Sequence, residues 1–217
     1  MFIVFFLISF PVFSISKTET YTKILSDIQF HQDSFAILYK KTENKEIILN
    51  NARQYVVTSI IQNLFPHWYD TPWTFYGKTR TPKKGSIACG YFVTTILTDV
   101  GFKIPLEKWA KLASESFIIK LSQVKRFSNK SISEIETYLY SQGDGLYLVG
   151  LDCHVGFLLV KDKSVKFIHS NYYKPEIGVM SENIYEKNPF ADSKYRVIGK
   201  LFSSEMMTNW ITLREYK

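Results

Sequence analysis

The chain has 217 residues, 46% of them hydrophobic and 16% aromatic, which is enough apolar material for one domain with a real core and too much for a disordered chain. Its net charge of +7 comes from Lys and Arg spread along the whole sequence, without the basic block or the aromatic and basic stripe of a nucleic-acid surface. Nucleic acid is therefore not an expected partner, and a diffuse positive surface suits anionic polymers in general.

The chain opens on an apolar run over residues 2–15, broken only by Ser9, Pro11 and Ser14. The run is shorter than the roughly 18 apolar residues that span a membrane, so residues 1–16 read as a signal peptide with cleavage after Ser14 or Ser16. The mature protein is then exported, periplasmic or secreted, with no membrane span. An uncleaved anchor or a first buried strand is the alternative. No Cys follows the run to carry a lipid.

Residues 18–50 hold two short apolar stretches, 35–39 and 47–49, around the charged run KKTENKE, and this pattern predicts a hairpin or a strand and turn. Val56, Ile60 and Leu64 then recur at helical spacing ahead of Pro66, predicting a helix over 52–65. Residues 66–86, rich in Pro, Gly, Thr and aromatics, predict a long structured loop. From Cys89 through Val93 and Leu97 the period is again helical, and Gly101 supplies the stop. Helices are also expected over 105–115 and 131–142, the second with Ser131 and Glu134 at capping-box spacing and Gly143 past its end.

The period then changes to that of strands. Residues 145–160 and 164–173 read as β-rich runs joined by the turn KDK, and 195–203 as a further strand. Helices followed by an antiparallel sheet give an α+β fold, with the Cys on the first group and the histidines on the second. No repeat or linker divides the chain, so residues 17–217 form one domain, with 17–65 an N-terminal extension and 66–203 the core.

Cys89 lies where the small residues GSIA meet a buried helix. A thiol reacts as thiolate, and a helix N-terminus beside a histidine can lower its pKa from about 8.5 to between about 3.5 and 7.5. Gly90 would let the backbone approach a substrate, and the Cys89 N–H could donate to an oxyanion. His154 and His169 fall on consecutive strands; paired across KDK, they reach one face near one end. That orders a nucleophile, a base and an orienting residue. By alternation Cys153 points away from His154 as core filler, so a Cys89–Cys153 disulfide and a catalytic pair exclude each other. Asn171 shares the face of His169 and is the alternative third member, whereas Ser170 faces away. No closely spaced ligand pair indicates a metal, and no fingerprint indicates a cofactor. Trp73, Tyr76 and Tyr91 are candidates for lining a substrate groove, and His31 and His67 read as surface or structural residues.

The segments TPWTFYGKT, ACGYFV, HVGFLL and FIHSN, in that order, resemble the NlpC family of papain-like cysteine peptidases. Its corresponding motifs are P-Y-x-x-G-G, D-C-S-G-[FL]-V, H-V-G-I-Y and I-H. Ala88 stands where the family has Asp, Gly90 where it has Ser, and Trp73 where it often has a Tyr that assists the oxyanion, a role Tyr76 could take. The resemblance covers about residues 66–172. It implies a papain-like fold, Cys89 as nucleophile, His154 as base, His169 as orienting residue, and an amide or peptide bond of a cell-wall stem peptide (peptidoglycan) as substrate. A non-catalytic envelope-binding domain of the same shape and a thiol acyltransferase are the other functions that fit these residues. In the permuted relatives that transfer acyl groups His precedes Cys, the reverse of the order here.

Overall fold

The structure is a computed structural model that describes residues 17–217; the signal-peptide reading of residues 1–16 lies outside the described residues. In chain order come helices α1 (Lys17–Lys41) and α2 (Lys45–Thr58), a π-helical segment (Ser59–Leu64), then α3 (Phe65–Trp68), α4 (Cys89–Asp99), α5 (Leu106–Trp109) and α6 (Ser114–Leu121). Strand β1 (Val124–Ser128), helix α7 (Ile132–Gln142) and strands β2 (Gly145–Leu151), β3 (Val155–Lys161), β4 (Ser164–Ser170) and β5 (Val179–Asn183) follow. Helix α8 (Pro189–Asp192), strand β6 (Tyr195–Lys200) and helix α9 (Ser204–Ile211) complete the chain. The fold is α+β.

The six strands form one antiparallel sheet in the order β1-β6-β2-β3-β4-β5. Alternation along each strand divides two cores between its faces. Leu146, Leu148, Phe157 and Ile168 face the larger core, built with α1, α2, α4, α6 and α9, while Tyr147, Val149, Leu158 and Phe167 face a smaller one closed by Ile135 and Leu139 of α7 and Phe190 of α8. Helix α6 seats closely, because a Cβ on Gly150 would lie 2.3 Å from the Ser114 hydroxyl and one on Gly199 1.9 Å from that of Ser122.

Helix α7 has the expected boundaries: Ser131 and Glu134 cap each other reciprocally, and Gly143 follows at φ 80°. The expected hairpin over 18–50 is instead the helix pair α1 and α2. The charged run does mark a break, where the Asn44 side chain accepts the Ile47 N–H and starts α2. Residues 35–39, however, continue α1, whose buried Tyr21, Ile28 and Gln32 lie on one face. Gln32 donates to the carbonyls of Gly101 (3.1 Å) and Trp210 (2.8 Å), tying α1 to the end of α4 and to α9. Pro66 does not stop the second helix. It lacks the N–H that an α-turn needs, and the chain widens into the π segment just before it, with Phe65 N–H bonding to the Ile60 carbonyl, before one more turn forms α3. The helix expected over 105–115 is instead α5 and the start of α6, broken by a turn at 110–113, and strands β1 and β5 and helices α8 and α9 had no sequence expectation.

The β3–β4 turn has two residues, Asp162 and Lys163, both at positive φ (50° and 54°), the conformation of a hairpin turn that matches strand twist. The run 145–160 is not one strand. A second tight turn at Asp152 and Cys153, closed by Leu151 N–H to the His154 carbonyl at 2.8 Å, folds it into the antiparallel pair β2–β3.

Candidate active site

Strands β3 and β4 pair from Lys161↔Ser164 as far as Phe157↔Ile168 and then diverge. The start of α4 packs against this end of the sheet, where the Ser170 hydroxyl donates to the Ile87 carbonyl at 2.6 Å. The loop before α4 is held in turn by Ile87 N–H to the Pro72 carbonyl (2.9 Å) and Ala88 N–H to the Gly77 carbonyl (2.8 Å). No side chain caps α4 at Ala88. The first N–H groups of α4 are thus left without a side-chain acceptor. Gly90 also serves packing, since a Cβ there would lie 2.2 Å from the Ala110 carbonyl oxygen, and it lines the cleft beside Cys89.

His154 follows the Asp152–Cys153 turn directly. The Asp152 carboxylate fixes that turn by accepting from the Ser193 hydroxyl (2.8 Å) and the N–H groups of Lys194 (2.8 Å) and Tyr195 (3.2 Å). His154 just precedes β3 and His169 lies near the end of β4, and their rings meet with centroids 5.0 Å apart. His154 Nε2 and His169 Nδ1 are 2.8 Å apart, as the paired-strand reading required. Gly156 makes the room, because a Cβ there would lie 2.6 Å from the Phe167 ring and 2.9 Å from the His169 Cβ. Phe167 and His169 stack at 4.0 Å, and Tyr172 meets His154 edge to face at 5.2 Å.

The chain of polar contacts continues to Glu182 on β5, a residue with no place in the sequence reading. His169 Nε2 lies 2.9 Å from Glu182 Oε2, Asn171 Nδ2 donates to the same oxygen at 3.1 Å, and Lys174 Nζ donates to Oε1 at 2.8 Å. His169, not Asn171, is thus the residue in contact with His154, and Asn171 bonds to Glu182. No local signal marked Glu182, because only the pairing Phe167↔Glu182 across β4–β5 carries it to this face.

Burial would push the Glu182 carboxyl up, but hydrogen bonds and charge from His169 and Lys174 hold it below the usual carboxylate range. Burial lowers His154 well below an ordinary imidazole, with the neighbouring His169 acting in the same direction, and it lowers His169 against the opposing pull of Glu182. Burial also raises the Cys89 thiol above its ordinary value, against the opposing pull of the neighbouring Val155 and Gly90 backbone and its own. The expected lowering by the helix terminus is therefore reversed: desolvation outweighs that pull. Burial thus disfavours the charged form of both the Cys89 and His154 side chains. No hydrogen bond joins them, and His154 Nδ1 is buried without a partner.

Cys89 and His154 line one cleft of about 490 Å³ together with residues 112–115, Cys153 and Tyr195. Cys153 is exposed in its turn, not core filler, because the alternation that would have buried it breaks there. Both thiols are free. Among the expected groove residues, Tyr76 projects into solvent at 87% exposure. Tyr91 donates from its hydroxyl to Glu107 at 2.6 Å, and Trp73 reaches the site only through Tyr172, 5.9 Å away. None of the three lines the Cys89 cleft. His31 and His67 bond to carbonyls of their own helices. Among the described residues no cluster of His, Cys, Asp and Glu is arranged to hold a metal ion, and no helix is long and apolar enough to cross a membrane.

Compared with known proteins, the chain matches no protein-family model, no curated protein and no solved structure.

Proposed function

We propose that the protein is a cysteine hydrolase of papain-like type, divergent from the NlpC family, that cleaves an amide or peptide bond. The observation that carries the reading is the convergence of Cys89 at the uncapped start of α4 with His154, whose other ring nitrogen is held at 2.8 Å by His169. In the reaction the Cys89 proton passes to His154 Nδ1 as sulfur attacks the carbonyl carbon. The oxyanion receives the Cys89 N–H, and His154 returns the proton to the departing amine as the C–N bond breaks. Water, deprotonated by His154, then opens the thioester and frees the acid. Cell-wall stem peptide is the proposed substrate and export the proposed route, both resting on the motif resemblance and the apolar run at residues 2–15.

Cys89→Ala should abolish release of new amino termini from peptidoglycan stem peptides while leaving the circular-dichroism spectrum unchanged. Full turnover by that variant would remove the reading. The second reading, a non-catalytic envelope-binding domain of the same shape, draws on the neutral, desolvated thiol. It predicts no turnover by the native protein, with unchanged cell-wall binding in Cys89→Ala.

A further inference from the structure

The relay does not end at the third residue a nucleophile and base require, because beyond His169 lies a buried carboxylate. The Glu182 side chain is 1% exposed and meets Lys174, itself 44% exposed at the rim. A buried carboxylate is costly unless paired, and each oxygen here has a defined donor set. Among these contacts only the histidines leave the proton positions open.

We propose that Glu182 is a positioning residue of the hydrolase site: its carboxylate, balanced by Lys174, fixes the protons of His169 and His154 so that His154 Nδ1 is the bare nitrogen that receives the Cys89 proton. The inference rests on the cysteine-hydrolase reading above. An ionised carboxylate can only accept, so His169 Nε2 must carry hydrogen toward Oε2. A neutral imidazole has one N–H, so His169 Nδ1 accepts, and the hydrogen in the 2.8 Å contact belongs to His154 Nε2. His154 Nδ1, the ring nitrogen that has no partner, then has a lone pair and no hydrogen. Reversing the order would set an N–H on the nitrogen that has to act as base. The lowered imidazoles keep both rings neutral and the sequence of donors unambiguous. The other titratable groups around the relay are Cys89 from α4, Asp152 and Cys153 from the β2–β3 turn, and Tyr172 after β4.

Alkylation of Cys89 by iodoacetamide in a Cys153→Ser background tests this without a known substrate. At neutral pH the thiol depends on His154 to take its proton; at alkaline pH it loses the proton to solvent. Glu182→Gln should lower the rate at pH 7 about 10-fold, corresponding to a loss of about one pKa unit of charge support. The difference should close as pH rises through the ionisation of the thiol, and Glu182→Asp should recover part of the loss. An equal loss at both ends of the pH range, or none at either, would overturn the assignment. His154→Ala separates the two readings. If it leaves the rate at pH 7 intact, the hydrolase reading fails and the inference with it; if it lowers the rate while Glu182→Gln does not, the inference alone fails. Nitrogen-15 spectra of the native protein at pH 7 need no variant. Both rings should carry hydrogen at Nε2 and none at Nδ1, and a hydrogen on His154 Nδ1 refutes the proposal.

Discussion

At Gly90 and Gly156 single side chains decide whether the site can exist. Gly90 brings the start of α4 against the Ala110 carbonyl, and Gly156 gives His169 and Phe167 the space to stack. Gly90→Ala forces a methyl group into backbone and should destabilise the fold by at least the roughly 1–3 kcal/mol of core overpacking, seen as a lower urea midpoint. Gly156→Ala meets the buried Phe167 ring, the His169 Cβ and the Ile168 carbonyl oxygen, so it should displace His169 and reduce both stability and Cys89 alkylation at pH 7. A loss of stability without a change in alkylation would show that His169 does not serve the thiol. The helix-start position of Cys89 and the His154–His169 contact were legible from residue type and strand spacing. Glu182 was not, because nothing near it in the sequence signals its partners; they come from β4 and the segment that follows. Cys153 was misread because Asp152 is anchored by residues some forty positions away, and that anchor makes a turn where the apolar run suggests a strand.

Among the elements, α7 and α1 mark the two extremes of what local sequence encodes. The ends of α7 are written in Ser131, Glu134 and Gly143, and each signal acts within one turn. Ser131→Ala should cost about 1 kcal/mol, measured by chemical unfolding, without altering the reactivity of Cys89. Helix α1 carries much of its apolar surface exposed, with Phe30, Ile37 and Leu38 among the exposed residues, so its period is blurred and tertiary contacts settle its state. Chief among these is Gln32. Its replacement by Ala leaves the Gly101 and Trp210 carbonyls without that donor and should cost about 1–3 kcal/mol. An unchanged unfolding midpoint would mean that α1 is not anchored there.

For the whole molecule the relay links chemistry to stability. His154 and His169 are buried neutral, with pKa values below that of a free imidazole. The unfolded chain therefore binds protons that the folded chain refuses, and stability must rise with pH across this range. It is fully present above about pH 6.5, the unfolded imidazole value, and declines as pH falls below it. Urea midpoints should drop between about pH 7.5 and about pH 5.5, and His154→Gln should flatten the drop; an unchanged slope in that variant would assign the acid sensitivity elsewhere. The gap where β3 and β4 part company has a further consequence. There the Ser170 hydroxyl clasps the Ile87 carbonyl, so the residue two positions ahead of Cys89 is moored to the sheet by a bond that the helix itself does not supply.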